Sequence, residues 1–137
     1  MRQAAAAGLL AVVAAGCGGS AHPREVRATL ASPQSCHVNV FFATRMVTGR
    51  EATRGEIASV RTRLAANTKV KTFAFVSETL AFRRMAKEHP EFTQGAPANP
   101  LPASYEIVPK SADDAEALKA ELRGARGVEH VSSARSC

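Results

Sequence analysis

Apolar residues along the chain follow two spacings, one typical of strands and one typical of helices. Four short runs are rich in β-branched and aromatic residues and predict strands. These runs cover residues 38–43, 70–76, 105–108 and 128–133. Between them, apolar residues recur every three or four positions, which predicts amphipathic helices. Strands and helices therefore alternate over the last hundred residues.

Capping signals bound the first helix. Two capping boxes compete for its start, Thr48 with Glu51 and Thr53 with Glu56. From either start the helix runs to about Ala66, and residues 44–49 before it are expected to form a turn. The sequence leaves the choice between the two boxes open.

Two serines are expected to cap the other helices. Ser77 opens a helix that stops before Pro90, and Ser111 opens one that ends at Gly124 and Gly127. Residues 91–103 contain a glycine and three prolines, a composition that opposes regular structure. A loop of this length within a small domain is uncommon and is often functional.

Without the helix after Ser77 and its loop, the order is β-α-β-β-α-β, which predicts the α+β class. This is the order of the split βαβ, or ferredoxin-like, sandwich. Right-handed crossovers place the first and third strands at the centre of a four-stranded sheet. The last strand then pairs antiparallel with the first, and the extra helix and loop form an inserted lobe.

The first residues of the chain predict export. Arg2 is followed by a short apolar run and then by small residues that end at Gly16 and Cys17, which is typical of a secretory signal. The run is too short to span a bilayer. A cysteine at this position resembles a bacterial lipoprotein signal, although Ala14 stands where such signals usually carry leucine. We therefore expect a signal peptide over residues 1–16 and lipid attachment at Cys17.

Residues 17–35 are rich in glycine, proline and small polar side chains, and they predict a flexible tether. Residues 36–137 then form one domain, held on the outer face of the cell membrane by the lipid. The formal net charge is +6, yet export argues against nucleic acid as a partner. The basic residues are expected to lie mainly on solvated helix faces.

The fold makes a prediction about the remaining cysteines. Cys36 precedes the first strand and Cys137 follows the last, and antiparallel neighbours bring these two ends together. In an exported protein a Cys36–Cys137 disulfide would persist. It would close a loop of about 100 residues and could contribute up to about 4.7 kcal/mol in the chain-entropy model.

The sequence offers little catalytic or metal-binding chemistry. With Cys36 opposite Cys137, His130 would lie opposite Ala43, which is about 20 Å from His37 along the strands. HExxH, CxxC, a Gly-x-Ser-x-Gly turn and a glycine-rich phosphate loop are all missing from the sequence. We therefore expect no catalytic residue, no metal and no cofactor, and we do not expect an enzyme.

The lobe supplies the candidate site. Phe82, Met85, Phe92 and Leu101 are large apolar residues within or beside the proline-rich segment. A small four-stranded domain does not evidently need them for its core. Apolar clusters of this kind mark partner-binding sites, although the same residues could simply attach the lobe to the sheet.

Four segments together resemble the extracellular domain of FtsX, the permease-like subunit of a cell-division complex. They are VNVFF at 38–42, VKTFAFVSETLAF at 70–82, NPLPASY at 99–105 and GVEHV at 127–131. The resemblance covers about residues 36–134. It implies a non-catalytic domain that binds peptidoglycan hydrolases through apolar side chains of its lobe. By position that role falls on Phe82, Met85, Phe92 and Leu101.

The leading hypothesis is accordingly a membrane-anchored binding module for a peptidoglycan hydrolase or another envelope or division protein. The alternative is an accessory subunit that docks on a separate permease of the ABC transporter type. FtsX itself carries this domain between transmembrane helices, and no such apolar stretch occurs in this sequence. A third hypothesis, direct binding to an anionic wall polymer or lipid, is motivated by the net charge.

Overall fold

The computed structural model describes residues 22–28, 36–95 and 98–133. The predicted signal peptide, the lipid-attachment residue Cys17, most of the predicted tether and Cys137 lie outside the described residues. Within the described residues no helix is long and apolar enough to cross a membrane.

In the part of the chain that the structure describes, five strands form one sheet in the order β1-β3-β4-β2-β5. Their bounds are β1 Arg24–Glu25, β2 Val38–Phe42, β3 Val70–Val76, β4 Ser104–Pro109 and β5 Val128–Ser133. β2 and β4 lie at the centre, and β5 pairs antiparallel with β2. Without β1, this is the order predicted for the ferredoxin-like sandwich.

Five helices connect the strands. Their bounds are α1 Arg45–Thr48, α2 Arg54–Ala66, α3 Glu78–Glu88, α4 Pro90–Thr93 and α5 Ala112–Leu122. Of the two competing capping boxes, Thr53 with Glu56 is the one that forms. Ser77 and Ser111 cap α3 and α5 as predicted, because each side chain accepts a backbone N–H of the first turn.

The hydrophobic core fills one face of the sheet, which we call the inner face. Alternate strand residues such as Val38, Val40 and Ile107 point to this face and are fully buried. α2 and α5 cover them with Val60, Leu64, Ala115, Leu118 and Leu122. The opposite, outer face carries the intervening residues and is where the lobe lies.

The strand count differs from the prediction. Five strands are present rather than four, because β1 arises within the segment predicted to be a tether and adds to the edge of the sheet parallel to β3. The N–H of Val26 donates to the carbonyl of Phe73 at 2.7 Å. Glu25 pairs with Arg61 of α2, and Pro23 is buried. Two charged residues between a proline and a single valine give no strand pattern, so the sequence did not indicate β1.

Three local details also differ from expectation. The turn before α2 contains the short α1, and the loop after α3 begins with the short α4, which has Pro90 in its first turn where proline is tolerated. The register of β5 on β2 pairs His130 with Phe41 rather than with Ala43. The register changes again between Phe41 and Phe42, where a bulge makes Phe42 pair with Val128.

Candidate functional site: a groove between the lobe and the outer face of the sheet

The lobe consists of α3, α4 and residues 98–103, and it covers part of the outer face. α3 turns one stripe of side chains toward the sheet, at the spacing of one helix face. That stripe is Ala81, Arg84, Met85 and Glu88. Arg84, half-buried, forms an ion pair with Glu106 of β4. The pair joins the middle of α3 to the central strands.

Asn99 holds the return segment of the lobe against the start of α3. Its Nδ2 donates to the carbonyl of Glu78 at 2.8 Å. Its Oδ1 accepts the N–H of Leu101 at 3.0 Å. The N–H of Phe42 donates to the carbonyl of Ala103 at 3.0 Å, which ties the same segment to β2. These bonds fix Leu101 beside the sheet although the segment has no regular structure.

A groove of about 360 Å³ runs between α3, the return segment and the outer face. Its walls are mostly apolar, and they include the Arg84–Glu106 ion pair. The lining residues are Asn39, Phe41, Val76, Ala81, Arg84, Met85, Glu88, His89, Leu101, Pro102, Ser104 and Glu106. The volume is near the lower end of the range for ligand pockets, and it suits one or two large apolar side chains or part of an alkyl chain.

One polar atom in the groove has no partner among the described residues. The buried Oδ1 of Asn39, on the central strand β2, accepts no hydrogen bond within the described part of the chain. A buried acceptor without a donor is costly. Because this oxygen has almost no accessible surface, an occupant would reach it only if neighbouring side chains moved.

The four residues predicted for partner binding do not share one position. Met85 and Leu101 line the groove from opposite sides. Phe92, on α4, is 70% exposed, and its ring centroid lies 5.8 Å from that of His89, which lines the groove. Phe92 thus lies at the rim. Phe82 is half-buried and is not among the lining residues.

Sequence reasoning missed the sheet side of the groove. Phe41 and Val76 are part of its wall, and the ring of Phe41 stacks on His130 at a centroid distance of 6.1 Å. Phe41 alternates out of phase with the buried Val40 and Phe42, which is the signal that could have placed it on the outer face.

The described residues offer no evident metal centre. Within residues 22–28, 36–95 and 98–133, no three His, Cys, Asp or Glu side chains gather closely enough to hold an ion.

Two solved structures from Streptococcus pneumoniae share the fold. One is the crystal structure of extracellular domain 1 of FtsX in complex with undecyl-maltoside, with a TM-score of 0.53 and 15% identity over 77% of this chain and 98% of that chain. The other is the solution structure of the large extracellular loop of FtsX, with a TM-score of 0.50 and 14% identity over 72% and 98%. Among curated proteins, no sequence matches this chain.

The family assignment follows from sequence as well as fold. A family model described as "FtsX extracellular domain" matches residues 35–137, most of the chain. The matched segment contains every strand except β1, together with the whole lobe and the groove. The chain belongs to the FtsX extracellular domain family.

Proposed function

We propose that this protein is a non-enzymatic binding module that engages a peptidoglycan hydrolase or another envelope or division protein through its lobe. The observation that carries the proposal is the apolar groove with Phe92 exposed at its rim. The exposed ring extends the apolar surface of the groove, and contiguous apolar surface of this kind marks sites where partners bind. Met85 and Leu101 supply adaptable apolar contacts inside the groove.

The relative solved with undecyl-maltoside supports an apolar ligand site in this fold. That detergent joins an alkyl chain to a sugar head, so it imitates an apolar side chain that carries a polar neighbour. In this chain, the groove offers apolar walls of a size that suits an alkyl chain or an apolar side chain. We infer that an occupant inserts apolar groups along α3.

A capture assay tests the proposal. The chain is immobilised, purified peptidoglycan hydrolases of the same cell are passed over it, and affinity is measured for wild type and for Phe92→Ser, Leu101→Ser and Phe82→Ser. Loss of an interface anchor typically weakens binding by 2 kcal/mol or more, or roughly thirtyfold. We expect that loss for Phe92 and Leu101, and a smaller loss for the half-buried Phe82.

Matched controls separate binding from folding. Val47→Ser removes an apolar residue that is 69% exposed outside the lobe, and it should bind as wild type does. Salt should change the affinity little, because apolar contacts are not screened. If no hydrolase binds, the hydrolase assignment fails. If a polytopic permease proves to be the specific partner, the accessory-subunit alternative replaces it.

We also propose the lipid anchor at Cys17 and the Cys36–Cys137 disulfide. The antiparallel pairing of Val38 with Ser133 supports the bridge, because β5 ends at the end of the sheet where Cys36 lies. Since β1 begins at Arg24, only six residues lie between Cys17 and the sheet, which is seven steps of chain. Fully extended, they reach about 24 Å, so the domain would stay close to the membrane. Mass measurement of the membrane-extracted protein, with and without reduction, tests both modifications.

A further inference from the structure

A second exposed apolar site lies outside the lobe. It is formed by residues 43–56, which include α1, and by the turn 123–127, and we call it the basic corner. The N–H of Ala43 donates to the carbonyl of Gly127 at 2.9 Å, and the N–H of Ala52 donates to the carbonyl of Ala43 at 2.9 Å. These two bonds hold both segments together at the end of the sheet where β2 ends and β5 begins.

The apolar part of the basic corner projects into solvent. Met46 is 75% exposed and Val47 is 69% exposed. Both belong to α1, a single helical turn that ends at Gly49, whose φ of 75° lets the chain reverse. The N–H of Gly49 donates to the carbonyl of Arg45, which closes the turn. The two side chains therefore stand on a built projection rather than on a frayed end.

The charged side chains of the basic corner are mostly positive. It carries five exposed arginines against two carboxylates, those of Glu51 and Glu56. Glu56 is already paired with Arg50 at 3.1 Å. The other four guanidinium groups form no ion pair with any described residue. They belong to Arg45, Arg54, Arg123 and Arg126.

We propose that the basic corner binds a bilayer surface with anionic headgroups. Exposed apolar side chains surrounded by arginines suit the membrane interface, where the apolar groups enter the headgroup region and the cations attract the lipid phosphates. An anionic polysaccharide would satisfy the arginines and leave Met46 and Val47 in water. The combination of both features favours a bilayer over a polymer.

Phe92, the exposed aromatic residue at the rim of the groove, provides a contrast within the same chain. Phe92 lies next to His89 and Glu91, and Glu88 lines the adjacent groove, so its surroundings carry carboxylates. An anionic surface would be repelled there. This proposal therefore concerns a different surface from the one assigned to protein partners, and neither depends on the other.

Vesicle binding by an unlipidated chain tests the proposal. The chain is used from residue 17, and Cys17→Ser prevents lipid attachment. This chain covers 98% of each solved relative, and both relatives are separate FtsX domains. The unlipidated chain is sedimented with vesicles of phosphatidylcholine alone or mixed with phosphatidylglycerol. We expect binding to the mixed vesicles only, and binding that weakens steeply as salt rises.

Substitutions then locate the surface. Each of Arg45→Gln and Arg126→Gln should weaken vesicle binding by roughly fivefold. The double variant Met46→Ser with Val47→Ser should weaken it by about tenfold or more. Arg63→Gln and Phe92→Ser, which remove an arginine and an apolar residue elsewhere, should bind as wild type does. Unchanged thermal unfolding confirms that each variant is folded.

Fluorescence reports directly on insertion. The chain has no tryptophan, so Met46→Trp introduces a single tryptophan whose emission can be excited selectively. With anionic vesicles its emission should shift to shorter wavelength and be quenched by brominated acyl chains. Phe92→Trp is the matched control and should show neither change.

Three results would overturn the proposal. Equal binding to neutral vesicles, or vesicle binding that the Arg45 and Arg126 substitutions leave unchanged, would remove the electrostatic basis of the proposal. Binding to a soluble polyanion that needs the arginines but not Met46 and Val47 assigns the basic corner to a polymer instead. Concentration-dependent dimers that are lost with Met46→Ser would assign it to a second copy of the chain.

Discussion

The pKa of Tyr105 tests how tightly the side chains of the sheet and its helices are packed. It is the single tyrosine of the chain. Its side chain is 2% exposed, and its ring contacts those of Phe42, Phe73 and Phe75 at centroid distances of 5.7, 5.8 and 5.3 Å. An ionised phenol at this position would lose most of its hydration.

Burial, and to a smaller extent the nearby charge of Glu25, raise the pKa of Tyr105 to about 12, and Arg61 opposes the rise. In the unfolded chain the pKa is about 10. The folded state therefore retains the phenol proton over a range where the unfolded state releases it. The associated stability is complete below pH ~10 and is lost as the pH rises toward ~12. A difference of about two pKa units corresponds to about 2.7 kcal/mol.

The near-ultraviolet absorbance of phenolate measures this titration without interference from tryptophan. We expect a midpoint near pH 12 in the native protein and near pH 10 in denaturant. Tyr105→Phe should flatten the fall in unfolding free energy between these pH values, and Glu25→Gln should lower the native midpoint slightly. A native midpoint near pH 10 with the fold intact would refute the packing argument.

Three further predictions concern the junction between α2 and the turn before β5. In chemical denaturation, Gly127→Ala should destabilise the fold by at least about 1 kcal/mol more than Gly124→Ala does. Both glycines have φ near +80°, but an added Cβ at Gly127 would lie 2.7 Å from Cβ of Glu56. Thr53→Ala should cost about 0.5–2 kcal/mol by the same measurement, and Thr48→Ala should cost less because Thr48 caps no helix. The pKa of Glu56 is held below its usual value, first by the backbone N–H of Thr53. The stabilisation from the ionised Glu56 is therefore complete at neutral pH and is lost as the pH falls through the lowered pKa. Glu56→Gln should remove that acid dependence of the unfolding free energy.

Connectivity and periodicity were enough to predict most of the fold. The alternation in Val38–Phe42 indicated the buried face of a strand, and serine caps located two helices. The β-α-β-β-α-β order, combined with right-handed crossovers, leaves few topologies, and the strand order followed. These features depend on residues that are close together in the sequence, so they can be predicted from one sequence alone.

The remaining features depend on contacts between distant residues. β1 has two residues, and it is held by its ion pair with Arg61 and by a backbone bond to Phe73, neither of which leaves a local pattern. The groove was predicted only on its lobe side, because Leu101 lies within the proline-rich segment 91–103 and Met85 lies in the helix before it. Its other wall, with Phe41 and Asn39, appears only when the lobe is placed over the sheet.

The groove and the basic corner are joined by a rigid connection. The return segment of the lobe bonds to Phe42, and the next residue, Ala43, bonds to Gly127 of the basic corner. Phe42 is itself buried in the core, so the joining element has one packed arrangement. Coupling between two sites requires an element with at least two states that both ligands bias. We therefore expect a partner in the groove and a bilayer at the basic corner to bind without changing each other's affinity, unless the partner itself reaches the membrane. Affinity for the partner measured with and without anionic vesicles would reveal that contact as a difference between the two values.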